Sequence, residues 1–108
     1  MNGSRRVVRV LLVEDDKKLA VFLTKALSEE GYIVDACRSG KEALGQASKI
    51  AYALILLDWM LPDLDGLGVC RELRRAGNAV PVLMVSARAD VVERVAATHQ
   101  TVAKGLGE

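Results

Sequence analysis

Short apolar runs alternate with longer amphipathic ones along this chain, and that alternation limits the fold more than any other feature. Residues 7–13 read VVRVLLV, a nearly continuous β-branched run of the kind buried in a parallel strand. The next segment, DDKKLAVFLTKALSEEG, sets Leu19, Phe22, Leu23, Ala26 and Leu27 at helical spacing. Asp15 or Asp16 can cap that helix and Gly31 can end it. Residues 32–37 (YIVDAC) and 52–57 (YALILL) predict two further strands. Between them Ser39 caps a weaker helical pattern that Gly45 interrupts. A third helix follows with Leu67, Cys70 and Leu73 directed inward, ended by Gly77. Residues 80–85 (VPVLMV) predict a fourth strand with Pro81 at its start, where the missing N–H is tolerated. Val91, Val92, Val95 and Ala96 then mark a short fourth helix. Strand and helix thus alternate four times, which implies a parallel sheet with helices on both faces.

With 108 residues the chain makes one small domain, without repeats, linkers or low-complexity segments. Its 15 basic and 14 acidic side chains nearly cancel, which predicts neither nucleic-acid wrapping nor attraction to a membrane surface. Arg5, Arg6 and Arg9 read as a solvated lead into the first strand. Cys37 and Cys70 match no metal-ligand spacing and read as buried, reduced thiols. With no signal sequence and no run of membrane-spanning length, the expected location is the cytoplasm.

Working residues in such sheets lie at the carboxyl ends of strands. The first strand ends in Glu14, Asp15 and Asp16, the third in Asp58 and the fourth in Ser86. Capping accounts for one acid of the first group but not for an acid ending a second buried run. Carboxylates converging there form a hard-oxygen site suited to Mg²⁺.

Three stretches, VLLVEDD, LLDWMLPDLDG and VLMVSA, occur in this order at predicted strand ends. Together they resemble the receiver domain of bacterial two-component response regulators, and DWMLPDLDG resembles receivers of the winged-helix transcription-factor class. The resemblance covers about residues 7–97, with 98–108 an atypical tail. It implies a doubly wound, flavodoxin-like sheet of order 2-1-3-4-5, with the fifth strand and helix short or missing. It also implies a phosphoryl group passed from a sensor histidine kinase to Asp58. Glu14 and Asp15 match the acidic pair that binds Mg²⁺ together with Asp58 and the backbone carbonyl of Met60, and Asp16 starts the helix. Ser86 matches the hydroxyl that meets the phosphoryl oxygens, and Pro62 and Gly66 match the turn that shapes the loop. Such a domain assists its own phosphorylation and dephosphorylation and is not a conventional enzyme. Met60 stands where phosphatases of similar topology carry a second aspartate, which argues against that activity.

The tail, THQTVAKGLGE, departs from the family pattern. Lys104 is the candidate for the phosphate-binding lysine, but Gly105 follows it in place of proline. Either a shortened fourth helix leads to a brief strand at 101–103, or an unrelated segment replaces the usual end. No aromatic follows Trp59, so the switch aromatic of the family is missing, and His99 reads as a solvated helix-end residue. Without a last helix, apolar side chains of the first, third and fourth strands would lose cover. That predicts a homodimer or a segment-exchanged oligomer. A receiver remnant that self-associates without a working switch is the alternative function. No DNA-binding domain is expected in the chain as it stands.

Overall fold

A computed structural model describes residues 7–58, 61 and 63–85. Four strands, β1 (Arg9–Val13), β2 (Ile33–Cys37), β3 (Leu54–Asp58) and β4 (Val82–Val85), form one parallel sheet of order β2-β1-β3-β4. Three helices alternate with them, α1 (Lys17–Glu29), α2 (Gly40–Lys49) and α3 (Gly66–Arg75). This is the expected doubly wound order as far as its fourth strand. The expected fourth helix, fifth strand and tail, with Lys104, lie outside the described residues, as do Trp59, Met60, Pro62 and Ser86.

Side chains alternate across β1 and β3 to build two cores. Leu11, Val13, Ile55 and Leu57 pack with Ala43 and Ala47 of α2 and Val69 and Leu73 of α3. Val10, Leu12, Leu54 and Leu56 pack on the other face with Leu23 and Leu27 of α1. Burying each such aliphatic contributes about 1.5–3 kcal/mol, so the two middle strands anchor the domain. Val10, Leu12, Leu54 and Leu56 are all buried within one chain, while Leu83 of β4 is partly buried. Among the described residues, α1 supplies the cover on this face of β1 and β3, and the segment expected to hold the last helix lies outside them.

The caps follow the sequence closely. Asp16 accepts from the Leu19 amide at 3.0 Å and begins α1, and Gly31 follows its end with φ +98°. Ser39 caps α2 by accepting from the Glu42 amide, and the Glu42 carboxylate reaches back to accept from the Arg38 amide, one residue before the cap. Two helix faces differ from expectation. Phe22 is 61% exposed, because Leu19, Ala20, Leu23 and Leu27 define the packed stripe of α1 and Phe22 sits about 100° from its centre. Leu67 is 53% exposed, since α3 buries Gly66, Val69 and Leu73. Gly66 faces the sheet because a Cβ there would fall 2.6 Å from the Met84 sulfur. Nor does Gly45 break α2, which runs through it with that position open to solvent. Among the described residues no helix is long and apolar enough to cross a membrane. Both cysteines are free, and burial pushes the Cys37 thiol up to about 11.

Candidate metal centre

β1 and β3 are hydrogen-bonded neighbours, with Val13 opposite Leu57. Their carboxyl ends therefore release Glu14 and Asp58 side by side, and Asp15 follows before α1 begins. Oxygens of Glu14, Asp15 and Asp58 lie within 4.8 Å of one another. Among the described residues this is a group able to hold a metal, built from the three acids the sequence pointed to.

Their environments differ. Glu14 is 4% exposed, Asp58 is half-buried and Asp15 is exposed. The Glu14 backbone N–H donates to the Cys37 carbonyl at 3.0 Å, continuing the ladder one residue past β1. Its carboxylate accepts from the Asp16 amide at 3.1 Å. Burial raises the Glu14 pKa, the Asp16 amide opposes that rise, and the charges of Asp58 and Asp15 and a hydrogen bond with Asp58 add to it. Three acids are tolerated in a row because each has a separate role. Asp16 caps α1, Asp15 faces solvent, and Glu14 turns inward towards Asp58.

The donor set suits a small hard cation. Octahedral Mg²⁺ holds oxygens at about 2.0–2.1 Å, so two ligands on one ion are at most about 4.2 Å apart. Carboxylate oxygens already gathered within 4.8 Å need little movement to reach that spacing. The raised Glu14 pKa has the same meaning, since like charges in a buried setting favour a proton or a cation.

Beyond these acids lies the loop from β3 to α3. Asp65 caps α3 by accepting from the Gly68 amide at 2.8 Å. Asp63 reaches across to α2, accepting from the Gly40 amide at 2.9 Å and the Lys41 amide at 3.0 Å. Sequence reasoning did not single out Asp63, although PDLDG places it five residues after Asp58. It also missed a second polar cluster towards the amino ends of the strands. There Tyr52 donates to Asp35 at 2.6 Å, Gln46 of α2 reaches the Tyr52 hydroxyl at 3.3 Å, and Arg9 pairs with Asp35 at 3.1 Å. Arg9, expected to be merely solvated, has this partner.

A parallel, doubly wound sheet with an acidic cluster at the carboxyl ends of β1 and β3 has the architecture of a signal-receiver domain. A family model described as the response regulator receiver domain matches residues 10–106, and the chain belongs to that family. It is 44% identical over 89 residues to the transcriptional regulatory protein TcrA of Mycobacterium tuberculosis, covering 82% of this chain and 35% of that protein. The chain thus spans about a third of the length of this relative. Among solved structures, a Francisella response regulator receiver domain has a TM-score of 0.71 and 32% identity, covering 88% of this chain and 77% of that one. The response regulator TrrA of Thermotoga maritima, in complex with Mg²⁺ and BeF, has a TM-score of 0.71 and 28% identity, covering 86% and 81%.

Proposed function

We propose that this receiver domain, in the cytoplasm, accepts a phosphoryl group on Asp58 from the phosphohistidine of a sensor histidine kinase. One observation carries the reading: three carboxylates from two adjacent strand ends converge within 4.8 Å. Glu14, Asp15 and Asp58, with the Met60 backbone carbonyl, would hold Mg²⁺. When bound, Mg²⁺ supplies positive charge that offsets the charge gathering on the transferred oxygens.

The chain's own residues do the rest. An Asp58 carboxylate oxygen attacks phosphorus, the phosphorus–nitrogen bond to the kinase imidazole breaks, and its electron pair stays on that nitrogen. The product is an acyl phosphate on Asp58, and attack by water on phosphorus returns the carboxylate and inorganic phosphate. Glu14 is held by the Asp16 amide facing the acceptor, so its position is set before a cation arrives. Ser86, next in sequence after β4, is the residue we assign to meet the phosphoryl oxygens, and Lys104 the candidate cation beside them. The near-balanced charge gives the domain no phosphate-wrapping field, so nucleic-acid contact is not assigned to it.

Acetyl phosphate or beryllofluoride with Mg²⁺ tests this reading, followed by the fluorescence of Trp59, the chain neighbour of Asp58. A Mg²⁺-dependent change and acid-labile phosphate are expected in the wild type and absent from Asp58→Asn. A silent wild type refutes the reading.

A further inference from the structure

The loop after Asp58 meets the start of α2 through two independent contacts. The first is polar. The two carboxylate oxygens of Asp63 separately accept from the Gly40 and Lys41 amides. Those amides belong to the first turn of α2, where backbone N–H groups lack partners within the helix. They hold the Asp63 carboxyl below its ordinary range, the Gly40 amide most strongly. Ser39 already satisfies the Glu42 amide, so Asp63 takes the first-turn donors that this cap leaves over.

The second contact is steric. A Cβ on Gly40 would stand 2.9 Å from both the Leu64 Cβ and the Val69 methyl, and 3.2 Å from the Leu64 carbonyl. A Cβ on Gly68 would stand 2.9 Å from a Leu64 methyl. Two glycines thus make the seat into which Leu64 fits, beside the Asp63 fork. Asp63 stands five residues after Asp58, so this anchor is joined to the acceptor by a short stretch of chain.

We propose that Asp63, with the Gly40 and Gly68 seat for Leu64, is a positioning device that anchors the Asp63–Leu64 turn on α2 and so tunes the Mg²⁺ affinity of the acidic site formed by Glu14, Asp15 and Asp58. This inference rests on the phospho-acceptor reading above. Asp63 is a positioning residue, because it touches α2 amides and not the reacting atoms. Partners that orient metal ligands change affinity by about 10–100-fold when removed, and the expected loss here is about 10-fold.

The test compares Asp63→Ala, Asp63→Asn and Gly40→Ala with wild type in Mg²⁺ titrations followed by Trp59 fluorescence, and in acetyl phosphate uptake at saturating Mg²⁺. Both Asp63 variants remove the same charge, but only Asn keeps a carbonyl oxygen able to accept one of the two amides. The Mg²⁺ half-saturation should rise about 10-fold in Asp63→Ala and distinctly less in Asp63→Asn. Gly40→Ala, which keeps the charge and unseats Leu64, should raise it as well. Tyr52→Phe, destabilised away from the site, should leave it unchanged. Equal shifts in the two Asp63 variants would mean a charge effect alone and overturn the inference, as would unchanged half-saturation in Asp63→Asn and Gly40→Ala if Asp63→Ala does not fold. A wild type silent to Mg²⁺ and acetyl phosphate overturns the phospho-acceptor reading and this inference with it. A responsive wild type with unshifted variants overturns only this one.

Discussion

Glu14, just past the carboxyl end of β1, and Asp35, on β2 nearer the amino end of the sheet, are both acids of the sheet, yet their surroundings push them in opposite directions. Asp35 accepts from the Tyr52 hydroxyl and from Arg9, and these contacts hold its pKa below the ordinary carboxylate value. Glu14 is buried beside Asp58 and Asp15, and its pKa is raised. The first cluster balances its charge with its own side chains and ties β1, β2, α2 and the approach to β3 together. The second concentrates like charge, which a domain bears at some cost in stability when a cation or proton is to complete the site. The two clusters thus differ in what surrounds their charge: balancing side chains of the fold around Asp35, and like-charged neighbours around Glu14.

Asp58→Asn has the largest expected effect. It should abolish acid-labile phosphate formation while the domain melts no lower than wild type without Mg²⁺, because a like charge beside Glu14 is gone. Thermal melts and phosphate assays on the same sample check both halves. A large loss of stability would assign Asp58 to the fold. Tyr52→Phe is the reverse experiment. It removes the hydroxyl that donates to Asp35 and should cost about 1–2 kcal/mol in urea unfolding, below the upper range for bonds to charged groups because Asp35 keeps some solvent contact. Phosphoryl uptake and the Mg²⁺ half-saturation should not move.

These two regions were not equally legible in the sequence. Glu14, Asp15 and Asp58 stood out because they close two buried apolar runs, and capping explains only one acid of the first group. The strand order to β4 and the Asp16 and Ser39 caps followed from equally local signals. The Arg9–Asp35–Tyr52 cluster was hidden, since its members lie 26 and 17 residues apart and only strand pairing brings them together. Asp63 was hidden for the same reason, its partners on α2 being 23 and 22 residues away. Phe22 and Leu67 were misassigned because periodicity sets the spacing of an apolar stripe but not its phase. Residues one step off the stripe centre are decided by what packs opposite them.

The pKa values of the two acids move in opposite directions. A carboxylate lowered in the fold, as Asp35 is, contributes stability that is present above its unfolded value and lost as pH falls through the folded one. Glu14 has the other sign. The folded state holds its proton more tightly than the unfolded chain, so stability declines as pH rises from the ordinary value of 4.5 through the raised one. Without Mg²⁺, Glu14→Gln should flatten this decline and Asp35→Asn should flatten the acid-side loss, each leaving the other limb in place. Mg²⁺ should mimic Glu14→Gln in the wild type only, and its affinity should fall as pH drops through the Glu14 transition, since the carboxylate must be ionised to bind. Melting temperatures from about pH 3 to about pH 8, with and without Mg²⁺, separate the limbs. Parallel changes in both variants would undo the distinction between the clusters.

The smallest effect belongs to Arg9. Its guanidinium meets Asp35 at 3.1 Å, but the Arg9 side chain is 43% exposed and the Asp35 side chain 23%. An ion pair this open to water is weakened by salt, because screening at about 1 M acts within roughly 3 Å. Arg9→Gln should therefore lower the melting temperature slightly in dilute buffer and hardly at all in concentrated salt. The loss in Tyr52→Phe should persist in both, because a short hydroxyl–carboxylate bond depends on contact rather than on a long-range field. If salt erased the Tyr52 effect as well, the amino-end cluster would be held by surface charge. It would then no longer contrast with the acids around Glu14 as a balanced, short-range lock.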